Sequence, residues 1–281
     1  MTQGQAFGAR LTAAMERHGP LCVGLDPHAA LLEQWGLPDT AEGVRRFTDT
    51  VLKAVAGRVA AVKPQSAFFE RHGAAGVQVL EDALVRLRGS GTLSLLDAKR
   101  GDIGSTMGAY AEAYLADGAP MAADAVTVSP YLGYGSLRPA IDLAADTGRG
   151  VFVLALTSNP EGAEVQHQGD PSVAARVVRA ATEDNAGAAP AGHVGLVVGA
   201  TVGPQAARLG LDLAAVNGIL LAPGIGAQGA RPADLRAGFG DARSRVLAPV
   251  SRGLLVSGPT VEGLRDAADR LAEELSAALG E

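Results

Sequence analysis

The chain has 281 residues, 47% of them hydrophobic but only 4% aromatic, and a formal net charge of −6. That length is beyond an average domain yet inside the range of one α/β barrel, and the core must be built from Ala, Val, Leu and Ile. The acidic balance, with no Lys/Arg cluster interleaved with aromatics, argues against a nucleic-acid partner, and a single cysteine, Cys22, rules out an intrachain disulfide.

The first 20 residues are polar and amphipathic, with no apolar core of signal-peptide type. No uninterrupted apolar run reaches the roughly 18 residues that a spanning helix needs. A reducing cytoplasm is therefore the expected setting, with no membrane partner. Eight short apolar runs follow, at 21–25, 59–62, 92–96, 125–128, 151–156, 194–198, 218–221 and 246–250. Most are apolar on both faces, as parallel strands covered by helices are. The segments between them carry helical spacing. One helix is expected from Asp39 or Thr40 to about Ala56. Another, over 76–88, aligns Val77, Leu80, Leu84 and Leu87. A last one, over 260–279, aligns Leu264, Ala268, Leu271 and Leu275, with Glu262 in its first turn. Eight strands alternating with helices predict an α/β fold, a (β/α)8 TIM barrel, as a single domain over 1–281. An open doubly wound sheet is the alternative, but Asp26-Pro27-His28 stands where its glycine fingerprint would be. The longest irregular stretches are 157–171 and 185–193, the second read as a surface turn. Trp35 and Ser94 are read as packing residues, and Cys22 as a buried thiol.

In such a barrel the C-terminal ends of the strands share one mouth, where chemistry is done. Here those ends carry Asp26, Lys63, Asp97 and Lys99, then Thr157-Ser158-Asn159-Pro160, then Pro223-Gly224-Ile225-Gly226-Ala227-Gln228-Gly229, then Ser251-Arg252-Gly253. The opposite ends carry no comparable set of charges. The densest stretch is Asp97-Ala98-Lys99-Arg100-Gly101-Asp102. Strand alternation sends Asp97 and Lys99 to one face and Arg100 to the other, and Gly101 ends the strand. Lys63, one strand over, should stand beside Asp97 and Lys99. The plainer alternatives are a structural ion pair for Asp97 and Lys99 and a helix N-cap for Asp102. The glycine loop 223–229 exposes backbone N–H groups, and Arg252 is suited to bidentate phosphate binding; with Gln228 they predict a phosphate site after the last two strands. The loop after Pro223 is the candidate moving part. The histidines (18, 28, 72, 167 and 193) are scattered without metal-ligand spacing.

Asp97-x-Lys99-x-x-Asp102-Ile103, with Thr106 beyond it, resembles the signature of the orotidine 5′-phosphate decarboxylases. Val23-Gly24-Leu25-Asp26-Pro27, Lys63-Pro64-Gln65-Ser66-Ala67-Phe68-Phe69-Glu70, the 157–160 block and the 223–229 block are similar to that family's strand ends in the same order. Length and flanks are similar to its longer-chain bacterial branch. The resemblance implies decarboxylation of orotidine 5′-phosphate to uridine 5′-phosphate, with no metal and no organic cofactor. It implies that Lys99 stabilises and protonates the C6 carbanion, that Asp97 lies against the substrate carboxylate, and that Lys63 ties the network together. Asp26 would hold the ribose, and Ser158 the pyrimidine edge. Pro223, Gly224, Gly226, Gln228, Ser251 and Arg252 would surround the phosphate. It also implies a homodimer in which Asp102, Ile103 and Thr106 complete the neighbour's site. Two other functions fit such a barrel, a magnesium-dependent enzyme of sugar phosphates and a regulatory nucleotide binder without catalysis. The first needs carboxylates beyond Asp26 and Asp97 at the strand ends, and the second predicts a damaged charge network.

Overall fold

A computed structural model describes residues 6–226 and 229–280; Gln228, expected at the phosphate site, lies outside the described residues. Eight parallel strands pair in sequence order, and the last pairs with the first to close a barrel. They are β1 (Leu21–Leu25), β2 (Ala61–Pro64), β3 (Leu93–Arg100), β4 (Ala125–Val128), β5 (Gly150–Leu156), β6 (Val194–Val198), β7 (Leu220–Leu221) and β8 (Val246–Val250). The (β/α)8 expectation holds. β1, β4, β6 and β8 have the expected bounds. β2 begins later than expected and runs through Lys63: Val59 accepts the Thr92 hydroxyl, and the ladder with β3 opens with the Leu93 N–H donating to Ala60. β3 is longer than its apolar run and carries the charged motif to Arg100.

The strand period divides the core into two shells. Leu21, Val23 and Leu25 of β1 point outward and pack under the helices, while Cys22 points inward. The interior is filled by Cys22, Ala61, Leu93, Leu95, Ala125, Phe152, Val197, Ile219, Leu221 and Leu247. The amphipathic N-terminal segment forms helix α1 (Phe7–His18), which closes the bottom of this interior with Phe7 and Leu11. Phe7 meets Phe152 edge to face, ring centroids 6.0 Å apart. A side chain at Gly150 would collide with the Phe7 ring (Cβ to Cδ1 2.2 Å), so that glycine makes room for the plug. Arg10 pairs with Asp124 at 2.6 Å, and Asp124 in turn accepts the Ser94 hydroxyl at 2.9 Å. The bottom thus does hold an ion pair beneath the strands, with one partner supplied by α1.

The outer helices follow their sequence signals. The helix Ala41–Val55 is capped by the Thr40 hydroxyl, which accepts the Gly43 N–H, and Val261–Leu279 is capped likewise by Thr260. Trp35 is buried against Phe47 and donates its indole N–H to Leu255, a packing role as expected. The Asp102 cap does not form. The helix begins at Gly104 with Ile103 at its N-cap position, and the Asp102 carboxylate accepts the Ile103 N–H, at 2.8 Å, rather than an N–H of the helix's first turn. The 157–171 stretch is less irregular than expected, holding a 3-10 turn and a short helix.

Candidate active site

β2 and β3 carry the charges to the rim. Lys63 Nζ lies 2.8 Å from Asp97 Oδ2, and Lys99 Nζ lies 2.6 Å from Asp97 Oδ1. Each oxygen of one carboxylate therefore holds a different ammonium. The Lys63 and Asp97 side chains are only 8% and 9% exposed, whereas Lys99 is 47% exposed and reaches into solvent-filled space. Burial by itself would lower the Lys63 pKa and raise that of Asp97. The attraction within the array overcomes both: Asp97 and Asp26 hold Lys63 charged well above its ordinary range, and Lys63 and Lys99 hold Asp97 far below the usual carboxylate range.

Simple alternation does not account for this geometry. Lys99 has a left-handed backbone, φ +48°, and the β3–β4 register shifts between Leu96 and Arg100. Holding a non-glycine residue there costs about 1 kcal/mol or more. Arg100 does project away, onto Glu70, Tyr110 and Tyr114. Gln65 reinforces the pair by bridging β2 to Asp97, its amide donating to the Asp97 carbonyl at 3.2 Å. Thr127 of β4 donates its hydroxyl to Asp97 Oδ1 at 2.9 Å. Nothing in the sequence marks β4 for the site, because a threonine inside an apolar run reads as strand filler.

Beside the array, a cleft of about 350 Å³ is lined by Gly24, Asp26, His28, Lys63, Gln65, Phe68, Pro223, Gly224, Ile225, Ser251 and Arg252, among others. Closure of the barrel brings the ends of β1, β2, β7 and β8 together here. Asp26 Oδ1 and Ser251 Oγ are buried without a hydrogen-bond partner among the described residues. Buried polar atoms are seldom left so, and both suit a polar ligand. Gly24 matters for Ser251, because a Cβ there would stand 2.6 Å from the Ser251 Cβ. His28 packs on Phe68 with ring centroids 4.0 Å apart and the planes tilted by 54°; burial pushes its pKa down, with Asp26 opposing. Arg252 is exposed at the start of a short helix. The glycine loop is less open than expected: the N–H of Gly226 donates to Ala230 and that of Gly229 to Gly226. Those two amides close the turn in this conformation. Ser158 sits at the end of β5 against Gly199. Asp102 forms no ion pair among the described residues, and Ile103 and Thr106 face outward, exposed. Among the described residues there is no group of three or more His, Cys, Asp and Glu placed to hold a metal ion, and no helix long and apolar enough to cross a membrane.

A closed parallel barrel with alternating ions at the C-terminal rim and a polar cleft over β7 and β8 defines the class of (β/α)8 enzymes that act on small molecules at that mouth. The profile of the "Orotidine 5'-phosphate decarboxylase / HUMPS family" matches residues 19–267, and the chain belongs to that family. It is 58% identical to the orotidine 5′-phosphate decarboxylase of Streptomyces coelicolor and 59% to that of Salinispora arenicola, each over 98% of this chain and 99% of the relative. A solved structure from Streptomyces avermitilis superimposes with TM-score 0.94 at 57% identity, covering 98% of this chain and 96% of that one. The Leishmania donovani OMP decarboxylase structure is similar at TM-score 0.75 and 32% identity, covering 98% and 99%.

Proposed function

We propose that this chain decarboxylates orotidine 5′-phosphate to uridine 5′-phosphate and CO2 in the cytoplasm, as one barrel unit over 1–281 that needs no cofactor. The observation that carries this reading is the Lys63–Asp97–Lys99 array beside a cleft with two unpartnered polar atoms. In the reaction the bond from C6 to the carboxylate breaks, CO2 leaves, and the electron pair stays on C6. That pair sits in a ring σ orbital, where no electron sink reaches it, so fixed charge and a proton donor must do the work. Lys99 places an ammonium at C6, stabilises the developing carbanion and gives it a proton; solvent then reprotonates the amine. Asp97 sits against the substrate carboxylate and holds both lysines. Lys63 locks Asp97 and touches the ribose, whose hydroxyl donates to Asp26. Ser158 reads the pyrimidine edge. Arg252, Ser251, Gln228 and the Pro223–Gly224–Gly226 turn hold the phosphate, whose binding energy is available to close the loop.

We infer a homodimer in which Asp102, Ile103 and Thr106 finish the neighbour's site. Ile103 (63% exposed), Tyr131 and Leu132 are large apolar side chains left exposed, and Asp102 lacks an ion-pair partner of its own among the described residues. Purified protein should convert orotidine 5′-phosphate, followed by its loss of absorbance, at the same rate with and without chelator. Tight binding without turnover, or turnover that stops in chelator, defeats the reading. Mixing Lys99→Ala with Asp102→Asn should restore about a quarter of wild-type activity, since random pairing makes half the dimers mixed, each with one intact site. No recovery after proven subunit exchange defeats the shared site.

A further inference from the structure

Thr127 is 1% exposed and sits where the ladder between β3 and β4 is interrupted. Leu96 pairs with Val126 and Arg100 with Val128, so three residues of β3, Asp97, Ala98 and Lys99, face the single residue Thr127. All three bond to its hydroxyl. Thr127 Oγ1 donates to Asp97 Oδ1 at 2.9 Å and accepts the N–H of Ala98 at 3.1 Å and of Lys99 at 2.9 Å. A hydroxyl has one hydrogen and two lone pairs, so its capacity is filled by this one stretch of chain.

We propose that Thr127 is a positioning residue for proton delivery by Lys99, its hydroxyl pinning both the left-handed Lys99 backbone and the Asp97 oxygen from which Lys99 departs. The proposal rests on the reading of Lys99 as proton donor. In a regular parallel ladder, carbonyls of β4 would take up N–H groups along β3. The extra residues of β3 forfeit that, and the Thr127 oxygen replaces the missing acceptors. Thus φ +48° is held at a residue that is not glycine, in the geometry that puts Lys99 Nζ 2.6 Å from Asp97 Oδ1. The same oxygen of Asp97 takes a cationic and a neutral donor. When Lys99 gives its proton to C6, the cationic partner is lost and the Thr127 hydroxyl remains. Asp97 is thereby kept from following the departing charge, and Lys99 returns to a fixed place for the next cycle.

The test compares Thr127→Val, of equal shape without the hydroxyl, with Thr127→Ser, which keeps it. Valine should lower kcat by about 10²-fold, the loss that follows from misplacing a reacting group by about an ångström. KM for orotidine 5′-phosphate and affinity for uridine 5′-phosphate should stay within about threefold. Serine should restore kcat to within about threefold of wild type. Hydrogen exchange at the amides of Ala98 and Lys99 should accelerate in the valine variant alone. Full kcat in the valine variant overturns the proposal. So do unchanged protection of those two amides, and a KM rise as large as the kcat loss. If the valine variant does not fold, Thr127→Cys, a weak donor of similar size, is held to the same outcomes. The exchange contrast is readable even in a protein that fails to decarboxylate orotidine 5′-phosphate, so an inactive wild type sinks the functional reading while the pin is judged on exchange.

Discussion

The two ends of the barrel are made by the same eight strands and could hardly be more different. At the bottom the inward positions are Cys22, Ala61, Leu93, Ala125 and Phe152, sealed by Phe7 and Leu11 of α1. Farther along the same strands the inward positions become Asp26, Lys63, Asp97 and Thr127, with unpartnered polar atoms and a cleft above them. Dry, close-packed residues below supply a platform that does not reorganise. Ions set on that platform are held in place before any substrate arrives, which is where electrostatic catalysis gets its effect. The lesson of the contrast is a division of labour: stability should be most sensitive at the bottom, activity at the top.

The division is open to direct attack. Lys99→Ala, at the top, should lower turnover by roughly 10³-fold or more while leaving nucleotide binding and the unfolding midpoint nearly unchanged. A stable variant with normal turnover would remove Lys99 from the chemistry. Phe7→Ala, at the bottom, should do the reverse, lowering stability by about 3–5 kcal/mol in urea titrations with kcat per folded molecule preserved. If kcat falls as far as stability does, the two ends are not separable.

Asp97 is where the comparison is sharpest, because it belongs to both roles. Asp97→Ala leaves Lys63 buried beside fewer partners and should cost about 3 kcal/mol at pH 7 as well as activity. The carboxyl of Asp97 is depressed in the folded protein. Its stabilisation is therefore fully present above the unfolded value near pH 4 and is lost as pH falls through the folded value. The gap in stability between wild type and variant should narrow from pH 7 to pH 3; a gap that widens contradicts the linkage. The smallest effect expected is at Cys22. Burial pushes its thiol up to about 12, with Lys63 opposing and Asp26 and Asp97 adding to the rise. The native protein at pH 8 should resist alkylation there and react only once unfolded; rapid modification of the folded protein would show that the interior is not sealed.

Much of this was legible in the residues themselves. Short runs apolar on both faces, helical spacing with Asp39 or Thr40 at a helix start, and charges clustered after apolar runs are local signals, and each depends only on neighbours in the chain. They determined the barrel, the position of most strands, and the placing of Asp26, Lys63, Asp97, Lys99 and Arg252 at one mouth. What only the tertiary structure decided arises between strands. The register shift that sets three residues of β3 against Thr127, the left-handed turn at Lys99 and the closing of the glycine loop onto Ala230 depend on which backbone lies alongside. So does the docking of α1 under the barrel, where Gly150 and Phe152 wait for Phe7. A one-dimensional pattern carries the period of a strand but not its partner's register, because hydrogen bonds across a sheet join residues that the sequence holds about 30 positions apart.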